Sequence, residues 1–174
     1  LMAAVDGYRV KVVEKTAYIG GTTAYSSGTA WIPNTRIAQA GGARDSVEQV
    51  TQYLDWVTES PQGRALRMAF LNAGPDAVDF LHRHTRCHFV VPPHSPDYRV
   101  GPGAVEGGRA LVAQELDGRL LERDFSRIRP PRPGFDLLGG MMVNRADIVA
   151  LMAPWSSWHA AGHTLRILGR HAMD

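Results

Sequence analysis

Glu14 closes the short apolar run Val10-Lys11-Val12-Val13. A few residues on comes a stretch of small and hydroxyl-bearing residues, Ile19-Gly20-Gly21-Thr22-Thr23-Ala24-Tyr25-Ser26-Ser27-Gly28-Thr29-Ala30. A carboxylate at the carboxyl end of a buried strand is the group that accepts hydrogen bonds from ribose hydroxyls in a dinucleotide-binding βαβ unit. On an edge strand the same residue is a solvated acid, and the strand alone leaves both readings open. The stretch that follows adds chemistry. Glycines at Gly20, Gly21 and Gly28 let the backbone approach a bulky ligand. Exposed N–H groups and the hydroxyls of Thr22, Thr23, Ser26 and Ser27 are neutral donors for phosphate or ring oxygens. A plain surface loop capped by hydroxyl residues is the bland alternative. The Gly-rich turn that precedes such an acid by roughly 20 residues in dinucleotide-binding folds does not occur in the 13 residues before Glu14.

Other chemistry-bearing residues form weaker patterns. His82, His84 and His88 would not converge on one face of a helix running into a strand. His159 and His163 are spaced i, i+4, but Ala160 stands where a zinc protease places its general base. Two histidines without a Cys or carboxylate partner make a poor metal site, so no metal is expected. The single Cys87 lies in an apolar run and reads as a packed thiol rather than a nucleophile. Arg119, Arg123, Arg127, Arg129 and Arg132 are interleaved with Glu122, Asp124 and Asp136, with only Phe125 and Phe135 as stacking residues. They read as a solvated surface rather than a nucleic-acid platform. No Walker loop, Ser-His-Asp pattern or nucleophile elbow is present.

The elements that must hold these residues follow from periodicity. Leu1–Val5 reads as the end of a helix, with Gly7 as its stop. Residues 9–14 are predicted to form a short buried strand. Asp45, with Glu48 three residues on, has the pattern of a capping box for a helix whose stripe is Val47, Val50, Leu54 and Val57. A helix is predicted over 62–72, broken at Gly74-Pro75, and another over 76–84 with Val78, Phe80 and Leu81 inward. Phe89-Val90-Val91 reads as a strand stopped by Pro92-Pro93. Residues 94–140 are rich in Gly and Pro and read as long loops with short extended pieces. Asn144 is a good N-cap for a helix through Met152, and a further helix is predicted from Trp155 to His171 after Pro154. The order strand, loop, helices, strand, loops, helices suits an α/β domain carrying a helical insertion.

The 174 residues, 44% hydrophobic and 21% charged with a net charge of +2, exclude a disordered tail or a disulfide scaffold. The longest apolar run, Ile148–Trp155, is far short of the roughly 20 residues a membrane helix needs. One cysteine excludes an internal disulfide and suits the cytoplasm. The chain opens Leu1-Met2-Ala3-Ala4 and closes within a helical pattern; the expectation is a piece of a longer polypeptide.

Residues 9–34, and above all Gly20-Gly21-Thr22-Thr23-Ala24 with Trp31-Ile32-Pro33-Asn34, resemble the FAD-binding flavoproteins of the fumarate reductase/succinate dehydrogenase superfamily, especially the 3-ketosteroid dehydrogenase branch. The likeness returns, in order, at Pro96-Asp97-Tyr98, at Gly107-Gly108-Arg109-Ala110-Leu111 and at Gly139–Asp147. The fold it implies is a partial Rossmann-like FAD-binding domain lacking its first strand and Gly-rich turn. Within it, 1–44 would form the strand and flavin-contacting loop and 45–174 a helical insertion and loops, without a substrate domain. It implies FAD contacts for Glu14, Lys15, Gly20, Gly21, Thr22, Thr23, Ser26, Ser27 and Gly28. Because no histidine lies between Leu1 and Gly28, the FAD would be non-covalent. It also implies a tyrosine beside the substrate, Tyr98, removing a proton next to a carbonyl while a hydride passes to flavin. An ordinary tyrosine titrates near pH 10 and needs a polarising neighbour for that task. The implied partner is a small-molecule ketone, steroid in kind, with no nucleic acid. Alternatives are a catalytically inactive flavoprotein fragment, a fumarate reductase-like flavoprotein, or a reductase using a nicotinamide.

Overall fold

The computed structural model describes residues 1–132, 134, 136–137, 141 and 143–173. Phe135 of the arginine-rich stretch, and Gly139, Gly140 and Met142 of the third resembling segment, lie outside the described residues. The chain divides into two compact units, one of residues 1–17 and 26–127, the other of residues 18–25 and 128–174.

The first unit opens with α1 (Met2–Val5), stopped as expected by Gly7 at φ +82°. Its sheet has three short antiparallel strands, β1 (Ala30–Trp31), β2 (Phe89–Val90) and β3 (Ala110–Ala113), in the order β1-β3-β2. Ala30 faces Leu111 and Trp31 faces Ala110 across one edge; Phe89 faces Ala113 and Val90 faces Val112 across the other. Leu111 and Ala110 of the central strand are buried. Three helices belong to the same unit: α2 (Arg36–Ala40), α3 (Val47–Thr58) and α4 (Arg64–His84). Val50 and Tyr53 of α3 and Leu71 and Val78 of α4 complete the core.

Three sequence expectations are corrected here. Residues 9–14 carry no strand and are exposed, with Val12 79% and Val13 80% accessible. A buried parallel strand exists only by hydrogen-bonding to neighbours, and none of the recorded strand pairings reaches this segment. The cap of α3 is Ser46, whose Oγ accepts from the Gln49 N–H at 3.1 Å. Asp45 is drawn instead into the buried ion cluster described below. Lastly, α4 is one helix running through Gly74-Pro75 rather than two. Pro75 deletes the hydrogen bond to the Leu71 carbonyl, at a cost of up to about 3 kcal/mol. The face Leu71, Gly74, Val78 is buried along its length and offsets that cost. Gly74 permits it, because a Cβ there would stand 2.9 Å from Ile32 Cγ2.

The second unit is built on α5 (Arg145–Met152) and α6 (Trp158–Met173). Asn144 caps α5 through a reciprocal capping box with Asp147: its side chain accepts from the Asp147 N–H at 2.8 Å, and the Asn144 N–H donates back at 3.0 Å. Met141, Ala150 and Ile167 form the buried core of the unit. Ile19 pairs with Ile128 in a parallel bridge, which fixes the start of the 18–25 segment. Among the described residues, no helix is long and apolar enough to cross a membrane.

Candidate functional site

The glycines of the small-residue stretch take backbone conformations that side chains resist. Gly20 has φ +130° and Gly21 φ +52°; Gly28, in the first unit, has φ +64°. A Cβ on Gly20 would lie 2.9 Å from Ala24 Cβ, whereas one on Gly21 would meet nothing within 4 Å. Gly21 therefore lies open on a backbone that turns back on itself. Thr22 and Thr23 beside it are exposed, and Thr23 begins a one-turn 3-10 helix ending at Tyr25. The Arg129 guanidinium lies over the Tyr25 ring at 5.7 Å.

In the first unit Glu14 and Lys15 are exposed. Glu14 Oε1 accepts from both the N–H and the Oγ1 hydroxyl of Thr16 at 3.0 Å, which orients the carboxylate without burying it. Ser26 Oγ accepts from the Gly28 N–H at 3.1 Å, and the Ser27 and Thr29 hydroxyls are 2.9 Å apart. Glu14, Lys15, Ser26 and Ser27 all face solvent, and none is drawn into an enclosed cleft. Taken unit by unit, the donor types suit FAD: open glycine backbone and neutral hydroxyls in the second unit, and hydroxyls, a carboxylate and an ammonium in the first.

Tyr98 stands fully in solvent, 102% exposed. The loop beneath it is held by a buried arginine from the Gly107-Gly108-Arg109 segment. Arg109, immediately before β3, is 1% exposed. Its Nε and Nη2 donate to the two carboxylate oxygens of Asp45, both at 2.8 Å. Its Nη1 donates to Asp97 Oδ2 at 2.7 Å, and Nη2 also reaches the Gly103 carbonyl at 2.9 Å. Asp97 in turn accepts from Trp31 Nε1 at 2.9 Å and from the Val105 N–H at 3.1 Å. The guanidinium sits 5.4 Å from the Tyr53 ring centre and 5.8 Å from that of Trp31. Guanidinium's rigid fork suits such a two-carboxylate site in a way lysine's point charge does not. The node ties α3's entrance, β1 and the 97–105 loop together, and Tyr98 projects from the residue next to Asp97.

The histidines are absorbed into structure. His82 Nε2 accepts from the Phe89 N–H at 2.7 Å and so ends α4 against β2. In the second unit His163 Nε2 lies 2.7 Å from Asp147 Oδ1 and its Nδ1 3.0 Å from the Arg166 guanidinium. Among the described residues no group of three or more His, Cys, Asp or Glu converges as a metal site would require.

Residues 1–171 match the family described as FAD binding domain, and the chain belongs to it; its cofactor is FAD. The 4-oxocyclohex-2-ene-1-carboxylate 5-dehydrogenase of Sinomonas cyclohexanicum is 38% identical over 149 residues, 85% of this chain and 25% of its own. The 3-oxosteroid 1-dehydrogenase of Mycobacterium tuberculosis (strain H37Rv) is 34% identical over 131 residues, 75% of this chain and 23% of its own. The crystal structure of 3-ketosteroid delta1-dehydrogenase from Sterolibacterium denitrificans, in complex with 1,4-androstadiene-3,17-dione, superimposes with a TM-score of 0.77 at 28% identity. It covers 92% of this chain and 28% of that one. The chain thus spans about a quarter of the length of the curated relatives it matches. The resemblance to the 3-ketosteroid dehydrogenase branch stands.

Proposed function

We propose that this chain is the FAD-binding part of an oxidoreductase that dehydrogenates a carbon–carbon bond next to a ring ketone, with a 3-ketosteroid-like substrate. The observation that carries the reading is the joint match in sequence and fold, across most of the chain, to enzymes named for ring-ketone dehydrogenation. Bound FAD supplies the two-electron acceptor for a hydride. Glu14 would accept the ribose hydroxyls and Lys15 would lie along the cofactor. The backbone at Gly20, Gly21 and Gly28 and the hydroxyls of Thr22, Thr23, Ser26 and Ser27 would donate to its oxygens. The binding would be non-covalent. Tyr98 Oη, as the phenolate, would take the proton from the carbon beside the carbonyl. The electron pair left by the proton would close the carbon–carbon double bond as the neighbouring carbon gives up its hydride, for which bound FAD would be the acceptor. The loop fixed at Asp97 supports this reading, because a proton acceptor must be held at a set position. The free thiol of Cys87 fits a reducing compartment, and the cytoplasm goes with the reading.

The test is Tyr98→Phe in the full-length FAD-loaded protein, assayed on a 3-ketosteroid with an artificial electron acceptor. The phenylalanine variant is expected to keep its flavin and lose about 100-fold or more in kcat, the scale of one general-acid/base group. Full activity in that variant removes Tyr98 from the reaction.

A further inference from the structure

With the strand order β1-β3-β2, β2 is an edge strand. Its backbone groups that point away from β3 need an acceptor or donor from outside the ladder. At Phe89 that partner is a side chain: the Phe89 N–H donates to His82 Nε2 at 2.7 Å. The two rings lie nearly parallel, 10° apart in plane with centres separated by 6.2 Å. A backbone N–H cannot accept, so the bond requires Nε2 to be the unprotonated nitrogen of a neutral imidazole. An imidazolium carries hydrogen on both nitrogens and accepts nothing. Protonation would set two N–H groups head to head, at a distance that suits only a donor and an acceptor. His82 is half-buried, so protons reach it.

The neighbouring charged groups are already engaged or are themselves basic. Asp79, one turn back along α4, pairs with Arg36 of α2. Arg83 Nε donates to the Asp79 carbonyl at 3.3 Å, and His84 packs on the Phe80 ring with centres 4.4 Å apart. The turn that follows α4 brings Arg86, Cys87 and His88, the last with its ring centre 5.2 Å from that of His82. Strand β3, Ala110–Ala113, carries no titratable side chain. His88 differs from His82 in kind. Its Nε2 lies 3.0 Å from the Thr85 carbonyl, an acceptor, so that bond survives protonation.

We propose that His82 is a proton-operated latch. Neutral, it covers the outer edge of β2 and ties that edge to the end of α4; protonated, it lets the edge go. The joined state holds the ring without its second proton, so lowering the pH favours the released state. The release is local. Thr85 stays tied to the Leu81 carbonyl through its N–H at 3.0 Å and its Oγ1 at 2.8 Å, and β2 keeps its pairing with β3. What opens is the joint between helix end and sheet edge, leaving a strand N–H uncovered for another acceptor.

The experiment follows hydrogen exchange at the Phe89 amide of the full-length FAD-loaded protein between about pH 8 and pH 5, the range in which histidine changes charge. Rates are corrected for the chemical pH dependence of exchange, so that only opening is read. Wild-type protection at Phe89 should fall about fivefold or more toward the acid end, the scale of one hydrogen bond. The Gln114 amide, bonded to the His88 carbonyl, should hold its protection throughout. His82→Phe should show the low Phe89 value at every pH, and His88→Gln should behave as wild type. The wild-type ring is also read directly, by magnetic resonance of isotope-labelled histidine, which should place the hydrogen of neutral His82 on Nδ1. Phe89 protection that does not change with pH overturns the proposal. So does a pH dependence that His82→Phe keeps or His88→Gln abolishes, or a neutral His82 with its hydrogen on Nε2.

Discussion

Replacing Arg109 by methionine removes the group on which the Tyr98 loop rests, and the structure sets the size of the effect. The guanidinium makes three charge-assisted hydrogen bonds to carboxylates and one to a carbonyl. Charge-assisted bonds are worth about 1.5–3 kcal/mol each, so their plain sum, about 5–9 kcal/mol, is an upper bound. Methionine keeps most of the aliphatic packing but strands the Asp45 and Asp97 carboxylates, whose side chains are 6% and 2% exposed. Breaking a buried pair from one side costs about 3–5 kcal/mol, and here two carboxylates share the one cation. The expected loss is therefore about 4–5 kcal/mol, comparable with the entire stability of many domains. Arg109→Lys keeps the charge but cannot span both carboxylates, and about half that loss is expected. The assay is a urea titration of the full-length protein, paired with hydrogen exchange at the Asp97, Ala104 and Val105 amides, all bonded within the loop. Those amides should exchange faster in both variants, most in Arg109→Met. A methionine variant within about 1 kcal/mol of wild type, with the three amides still protected, would refute the reasoning that this cluster holds the loop.

Three further outcomes are expected. Glu14→Ala should weaken FAD binding by about 1–3 kcal/mol, the scale of hydrogen bonds to a charged group; unchanged affinity in a flavin titration takes Glu14 out of the site. At Asp147, burial pushes the carboxyl up, but the Asn144 N–H, the His163 hydrogen bond and the charges of His163 and Arg170 together hold it below its ordinary value. A carboxyl depressed in the folded state stabilises above its unfolded pKa, near 3.9, and that contribution fades as pH falls through the lower folded value. Asp147→Ala, which loses the cap as well, should cost about 1–2 kcal/mol at neutral pH. The gap from wild type should narrow in acid urea titrations below pH 4, and a gap constant with pH would contradict the assignment. Pro75→Ala should stabilise by about 1–2 kcal/mol by restoring the bond to the Leu71 carbonyl, less what proline gains by restricting the unfolded chain; destabilisation in the same titration would show that the ring itself is packed.

What could be read in the sequence was local. The α5 cap at Asn144, the stop at Gly7 and the short β2 strand ahead of Pro92 each depend on a few neighbouring residues, and each stands in the structure. Pro75 read as a break because local propensity takes no account of the buried face that carries α4 through it. The 9–14 run, with the composition of a central strand, is extended chain because strand formation is settled by partners rather than composition. The Arg109 cluster was the least legible. Its partners lie 64 and 12 residues away, and no local spacing selects them. The one signal was Arg109 within Gly107-Gly108-Arg109, an arginine set between two glycines and an apolar strand. Of the cofactor residues, the glycines' positive φ at Gly20, Gly21 and Gly28 was legible from type alone; the family match supplies FAD.

The most direct test of the account is anaerobic. The full-length protein is purified, its visible flavin band recorded, and a 3-ketosteroid added without any electron acceptor. The expected result is a yellow protein whose band bleaches with the steroid and whose flavin is released intact by denaturation. A colourless protein that takes up no added FAD, or a yellow one bleached by a nicotinamide but untouched by the ketone, would contradict it.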